Sequence, residues 1–190
     1  SFSCYLYSML NVLEDVISVK KQDVKESISL LTETQKKISS TNLTNSNPAL
    51  SLAKWISGFP IIYYPWGLHS AAIRFKNSLQ ENAKIHVFAE DIIESSHNAI
   101  VAWEKRSKIQ PILIIGKDDY TKTKERWQIV KEFFNLNKIQ YREIHSLNGS
   151  ILSKLVNLIY LLDYSSIYLA ILSKTDPTPV KPIEFIKNRI

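Results

Sequence analysis

The chain has 190 residues, of which 45% are hydrophobic and 22% charged, and this ordinary balance excludes intrinsic disorder and fits one folded domain. Its single cysteine, Cys4, excludes an internal disulfide framework and indicates a reducing compartment, which we take to be the cytoplasm. We expect Cys4 to be a small core residue. The net charge of +6 favours anionic partners, either phosphorylated metabolites or nucleic acid.

The chain begins without a basic region ahead of its first apolar run, so we expect no signal peptide. Position 1 is not methionine, and we therefore expect the sequence to start inside a longer gene product. The most apolar stretch, 151–172, contains Asn157, Asp163 and the pair Ser165-Ser166. These polar residues predict an interrupted core helix and no membrane span.

The first third of the chain is predicted to be helical. Apolar residues at helical spacing predict a helix over 1–19, and a second helix is expected over 23–39. The polar run 39–47 predicts a loop, after which Asn47 and Pro48 suit the start of a short helix. That helix is expected to reach Trp55 and to end by Gly58.

The middle of the chain changes to a strand–helix rhythm. Short apolar runs predict four strands, at 61–64, 85–88, 112–115 and 141–144. Helices are expected between them, at 68–84, 97–105 and 121–137, and again after 150. This alternation predicts an α/β fold in which helices flank a parallel sheet of four or five strands.

In open α/β sheets, ligands bind beyond the carboxyl ends of the strands. With only four glycines, neither a dinucleotide fingerprint nor a P-loop can be formed, so we predict no nucleotide cofactor. No metal-ligand spacing appears either, and we predict no metal. The stretch 146–150 is either a phosphate-binding loop or an ordinary strand-to-helix turn.

Helix 68–84 carries two stripes of side chains. Its apolar stripe predicts the buried face, and its polar stripe contains Arg74, Glu81 and Lys84. The polar stripe is either solvated or turned to a ligand cleft, and periodicity leaves both interpretations open. His97 follows sixteen residues after Glu81 and is either a loop histidine or, with a carboxylate, part of a proton-transfer site at the carboxyl ends of the strands.

Four segments together resemble a known family. They are RFKNSLQENAK at 74–84, ESSHN at 94–98, DYSSIYLA at 163–170 and DPTPV at 176–180, which is followed by Ile183 and Lys187. Their order is similar to R-x-K-x-x-x-x-E-N-x-K, P-E-x-x-H-N, D-Y-x-S-x-Y-L-A and D-P-T-P-V in the bifunctional phosphoglucose/phosphomannose isomerases. The resemblance implies a SIS-type three-layer sandwich.

The resemblance also implies roles for the matched residues. Glu81 would move a proton between C1 and C2 of a hexose 6-phosphate through a cis-enediol, without a cofactor. His97 would assist ring opening, reaching the site from the other subunit of a homodimer. Lys187 would approach the substrate oxygens, and Arg74 and Lys84 would bind the substrate.

The sequence departs from the family pattern in part. Ile93 replaces the usual proline, Ala99 replaces a glutamate and Gln80 stands where asparagine is common. The N-terminal SIS half with its phosphate loop is absent from the sequence, and we expect it in the same or a companion chain. The resemblance thus makes 1–190 one SIS-type domain with N-terminal helices to 57, a βα core over 58–150 and C-terminal helices over 151–190.

The sequence therefore predicts an aldose–ketose isomerase that converts glucose or mannose 6-phosphate to fructose 6-phosphate. Two alternatives stay open at this point. One is a non-catalytic SIS-type module that binds sugar phosphates. The other is a basic nucleic-acid-associated module, which we disfavour because the paired basic residues, such as Lys36-Lys37, lie in acid-interspersed helical segments.

Overall fold

The structure is a computed structural model that describes residues 2–190. The helices are α1 (Phe2–Val12), α2 (Lys21–Ile38), α3 (Pro48–Trp55), α4 (His69–Ser78), α5 (Ile92–Ser95), α6 (Thr121–Leu136), α7 (Ile151–Leu172) and α8 (Lys181–Lys187). The strands are β1 (Phe59–Tyr64), β2 (Phe88–Asp91), β3 (Ile109–Ile115) and β4 (Arg142–His145). A π-helical turn (Leu79–Ala83) continues α4, and a 3-10 helix (Ala99–Glu104) follows α5.

The four strands form one parallel sheet in the order β2-β1-β3-β4, which confirms the predicted α/β class. Three strands lie close to their predicted positions. β2 starts three residues later than predicted, because residues 84–87 connect the π-helical turn to the strand and Phe88, rather than Ile85, pairs with Ile61. We call the side where the strands finish the carboxyl end of the sheet, and the opposite side the amino end.

Each face of the sheet has its own core, because successive strand residues point to opposite faces. Ile62 and Ile112 are completely buried on the face that α2, α3, α4 and α7 cover. Tyr63 and Leu113 belong to the other core, which also contains Trp127 of α6. Both faces are therefore covered, which is why β1 and β3 are continuous apolar runs in the sequence.

Helix α7 is continuous, so the predicted interruption is wrong. It is long and apolar enough to cross a membrane, but it packs against α2, α3 and α4 in the core. Its polar residues do not break it because each has a partner: Asn157 accepts a hydrogen bond from Thr34 at 2.6 Å, and Ser165 donates to the carbonyl of Leu161 at 3.1 Å.

The N-terminal region differs from the prediction in two respects. Helix α1 ends at Val12, and the following residues to Ile17 form turns. None of the residues of α1 is buried, and Cys4 is exposed, so the expectation of a core thiol is wrong. Helix α3 has the predicted start, since the Asn47 side chain accepts a hydrogen bond from the Leu50 amide.

Candidate active site

Glu81 lies in the π-helical turn 79–83, which we call the Glu81 turn. Helix α4 starts after β1 finishes and leads back toward the beginning of β2, so the Glu81 turn lies at the amino end of the sheet. Leu79 and Ala83 are buried in the core, whereas the Glu81 side chain is exposed. π-Helical turns are rare and often occur at functional sites.

Helix α4 is fixed to α7 one turn before Glu81. The Arg74 guanidinium donates two hydrogen bonds to the Asp163 carboxylate, from Nε at 3.2 Å and from Nη2 at 3.0 Å. The Ser78 hydroxyl donates to the same carboxylate at 2.6 Å, and the Phe2 ring lies 4.8 Å from the guanidinium carbon. Arg74, predicted to bind substrate, is thus engaged within the chain, and its role toward substrate stays a prediction.

The residue that follows Glu81 also contacts α7. The Asn82 amide donates to the Ser166 hydroxyl at 2.8 Å, and that hydroxyl donates to the carbonyl of Asp163 at 2.7 Å. Ser166 is completely buried. The sequence motifs contain Asn82, Asp163 and Ser166, but their spacing gave no sign that these residues meet.

Lys84 connects the Glu81 turn to the C-terminal segment. Its ammonium donates to the carbonyl of Pro179 at 2.7 Å, to that of Pro177 at 3.4 Å and to that of Glu81. The amide and hydroxyl of Thr178, and more weakly Lys84, hold the pKa of the Asp176 carboxyl below its usual value. The predicted substrate contact of Lys84 stays a prediction, because all three of these acceptors are backbone carbonyls of the chain itself.

Lys187 is the last residue of α8, the short helix that follows the segment bound by Lys84. Its side chain is exposed, as is every residue of α8. Helix α7 runs back from the end of β4, so α8 begins at the amino end of the sheet. Glu81, Lys84 and the helix that bears Lys187 therefore lie at one end of the sheet.

His97 lies at the other end. It follows β2 and the short α5, and its side chain is exposed. The sequence pattern predicted a carboxylate and His97 together at the carboxyl end. That expectation is wrong for Glu81, because an α/β crossover helix brings its last turn back to the amino end. Glu81 and His97 of one chain are therefore separated by the length of β2 and its two connections.

The loop 146–150, a candidate phosphate site in the sequence, is already occupied by a side chain of α2. The Glu26 carboxylate accepts hydrogen bonds from the Ser150 amide at 2.9 Å, the Ser150 hydroxyl at 2.8 Å and the Ser153 hydroxyl at 2.7 Å. These bonds, with the Ser150 amide the largest contribution, lower the pKa of Glu26. Gly149 permits the approach, since its φ is 123° and a Cβ there would lie 3.0 Å from the carboxylate.

Several clefts lie on the side of the sheet that α6 covers, apart from the Glu81 turn. One of about 380 Å³ is lined by Ile100, Ile129 and Phe133. Another, of about 180 Å³, contains Glu90, whose pKa is raised by burial, and Tyr63, whose pKa burial raises to about 12. Within residues 2–190, no group of three histidine, cysteine or acidic side chains is arranged to hold a metal.

Known proteins resemble the chain in sequence over nearly its whole length. A bifunctional phosphoglucose/phosphomannose isomerase of Caldicellulosiruptor bescii is 30% identical over 189 residues, covering 96% of this chain and 56% of that protein. The enzyme of the same name from Aquifex aeolicus is 28% identical, covering 96% of this chain and 54% of that protein. The chain thus spans little more than half the length of these relatives.

Solved structures share the fold. A glucose-6-phosphate isomerase like protein from Thermus thermophilus matches 88% of this chain and 56% of its own, with a TM-score of 0.69 and 16% identity. Glucosamine-6-phosphate deaminase from Thermotoga maritima matches 93% of this chain and 52% of its own, with a TM-score of 0.62 and 10% identity.

The family assignment follows from a match that covers the whole strand–helix core and the C-terminal helices. A model of the bacterial phospho-glucose isomerase C-terminal SIS domain matches residues 45–190. This confirms the resemblance that was drawn from the four motifs, three of which meet at the Glu81 turn. The chain belongs to the family of bacterial phospho-glucose isomerase C-terminal SIS domains.

Proposed function

We propose that this chain supplies the catalytic carboxylate of an aldose–ketose isomerase that interconverts glucose or mannose 6-phosphate with fructose 6-phosphate. The observation that carries the proposal is that the backbone on both sides of Glu81 is fixed by hydrogen bonds. The helix before it, the residue after it and the segment toward Lys187 are all fixed by hydrogen bonds. The carboxylate itself is left exposed, as a residue that must contact a substrate requires.

Glu81 is the base in the proposed reaction. It removes the proton from C2 of the open-chain aldose, and the electron pair forms the C1–C2 double bond of a cis-enediol. The C1 carbonyl oxygen takes up the negative charge, and the hydroxyl proton of O2 moves to O1 at the enediol stage. The same carboxyl then returns the proton to C1, which leaves a carbonyl at C2. Negative charge develops on the oxygens, and the ammonium of Lys187 is the group we propose to stabilise it.

His97 assists opening of the sugar ring, and we propose that it comes from a second copy of the chain. Glu81 and His97 lie at opposite ends of one sheet, so a site that uses both is completed most simply across a homodimer. An N-terminal SIS half holds the substrate phosphate in this proposal. The enzyme is cytoplasmic and serves glycolysis and gluconeogenesis.

Replacing the base tests the proposal in the complete enzyme, with both SIS halves. We expect Glu81→Gln to lower kcat by roughly 10²- to 10⁴-fold, the usual contribution of a general base. Binding of fructose 6-phosphate, measured by calorimetry, should be nearly unchanged because the amide keeps the size of the side chain. Glu132→Gln, an exposed position on α6, is the control and should retain full turnover.

Two results would reject this assignment. Undiminished turnover in Glu81→Gln would remove Glu81 from the chemistry. Tight binding of hexose 6-phosphates by the wild-type enzyme without any turnover would instead favour a non-catalytic sugar-phosphate-binding module.

Mixed dimers test the origin of His97. Glu81→Gln and His97→Ala are each expected to be nearly inactive alone. If each site takes one residue from each chain, a mixed dimer has one intact site, and an equal mixture should regain roughly a quarter of the wild-type activity. No recovery on mixing would show that both residues act within one chain.

A further inference from the structure

The Glu81 turn is an irregular piece of backbone held in a defined position. Regular α-helical hydrogen bonding stops at Ser78, and the π-helical turn that follows ends at Lys84 in a left-handed conformation. A π-helical turn is rare, and irregular backbone of this kind persists only where the surrounding structure stabilises it. The side chains that stabilise it therefore decide where the Glu81 carboxylate lies.

The residue that follows Glu81, Asn82, contacts Ser166 of α7. The Ser166 hydroxyl is completely buried and both of its hydrogen-bonding functions are used, since it accepts from Asn82 and donates to the carbonyl of Asp163. Asn82 is the direct neighbour of Glu81 in the backbone, so a movement of Asn82 moves the carboxylate. The contact joins residues 84 positions apart and ties the Glu81 turn to the middle of a rigid 22-residue helix.

We infer that Asn82 and Ser166 are positioning residues that fix the Glu81 turn against α7 and so set the distance between the Glu81 carboxylate and the substrate carbons. This inference rests on the proposed function of Glu81. Neither residue touches substrate, and both act through the backbone of the turn. Proton transfer to and from carbon depends steeply on distance, and a misplacement of about 1 Å can cost about 10²-fold in rate.

Helix α7 provides a matched pair of variants. Ser165 and Ser166 are neighbours, both are completely buried, and each donates to a carbonyl of its own helix, Leu161 for Ser165 and Asp163 for Ser166. Only Ser166 also accepts a hydrogen bond from the Glu81 turn. The comparison of Ser166→Ala with Ser165→Ala therefore isolates the contact with Asn82.

The experiment is a kinetic comparison in the complete enzyme, with both SIS halves and fructose 6-phosphate as substrate. We expect Ser166→Ala to lower kcat by about tenfold with KM within about twofold, a fraction of the full effect of misplacement. Ser165→Ala should keep wild-type kcat and KM. Both variants should melt within a few degrees of wild type, with Ser166→Ala slightly lower because it also loses the hydrogen bond from Asn82.

A double-mutant cycle completes the test. Asn82→Ala should lower kcat as Ser166→Ala does, and the double variant should be no slower than either single variant, because both remove the same contact. Equal kcat in Ser166→Ala and Ser165→Ala, or additive losses in the double variant, would overturn the inference. Failure of the proposed function is recognised separately, because Glu81→Gln would then retain turnover.

Discussion

The two ends of the sheet place a carboxylate in opposite environments. At the carboxyl end, the amide and hydroxyl donors at the start of α7 are already filled by Glu26 of the chain itself. At the amino end, Glu81 is exposed while the backbone around it is held by Asn82 and Lys84. One carboxylate is a structural anchor and the other is presented to solvent.

If Glu81 is the catalytic base as proposed, the usual location of ligands in open α/β sheets does not apply to this chain. That rule rests on the free amide groups at helix N-termini beyond the carboxyl ends of the strands. Here the donors at the start of α7 are satisfied internally, so they have little to offer a phosphate. The proposed N-terminal SIS half is consistent with this, because it would hold the substrate phosphate away from the start of α7.

The largest effect is expected where the amino end is anchored. Asp163→Ala removes the acceptor of both Arg74 and Ser78, and we expect the free energy of unfolding to fall by about 2 kcal/mol, as for hydrogen bonds to charged groups. Urea denaturation of the complete enzyme measures this free energy of unfolding. Glu33→Ala, which removes only an exposed ion pair with Lys36, should leave the free energy of unfolding nearly unchanged.

If the two variants are equally stable, the contact of α4 with α7 does not anchor the Glu81 turn, and the proposed difference between the two ends of the sheet is lost.

A smaller effect is expected at Lys84, which contacts backbone carbonyls in the structure although the sequence predicted that it binds substrate. If Lys84 holds the segment leading to α8, Lys84→Met should speed hydrogen exchange over 178–187. It should also lower kcat about fivefold, which corresponds to about 1 kcal/mol, the usual net contribution of one hydrogen bond. If Lys84 binds substrate directly, KM rises and exchange stays unchanged. Lys76→Met, earlier on α4, is the control and should alter neither quantity.

The carboxyl end offers a subtler test, because removing Glu26 should expose an anion site. We expect Glu26→Ala to melt at a lower temperature than wild type, and inorganic phosphate at about ten times its dissociation constant to restore a few degrees. Phosphate should not shift the melting temperature of wild type, in which the donors already bind Glu26. Glu33→Ala on the same helix should behave like wild type, and a phosphate response there would contradict a specific site.

The smallest effect is a dependence on pH. The pKa of Glu26 is lowered from 4.5 in the folded chain by the Ser150 and Ser153 donors, so its stabilising contribution is present above 4.5 and is lost as pH falls through the lowered value. The difference in melting temperature between wild type and Glu26→Gln should therefore be constant near neutral pH and shrink in acid. A difference that grows in acid would show that the carboxylate is not the stabilising form.

Much of the fold was predictable because it depends on local patterns. Alternating apolar runs located β1, β3 and β4 to within a few residues, and the apolar stripe of helix 68–84 is buried as predicted, including Phe75 and Leu79. Asn47 was predicted to start a helix because asparagine followed by proline suits the first positions of a helix. The interruption predicted in α7 was wrong because polar residues in a core helix are tolerated once tertiary partners satisfy them.

The candidate site was predictable only as a set of residue types. The motifs singled out Arg74, Glu81 and Lys84 on one helix, and they also contain Asp163. They gave no indication that Arg74 would be engaged by Asp163, 89 positions away, or that Lys84 would contact the segment around Pro179. Such pairings are fixed by how α4 and α7 pack, and nothing in the spacing along the chain records them.

The sequence by itself determined the parallel α/β fold and the family, and it singled out Glu81 as the candidate base. Only the tertiary structure decided that Glu81 lies at the amino end of the sheet, away from His97, and that Glu26 fills the start of α7. The physical reason is the range of the forces concerned. Helix and strand periodicity is encoded within a few residues, whereas the hydrogen bonds that place these carboxylates join side chains 84 to 127 positions apart.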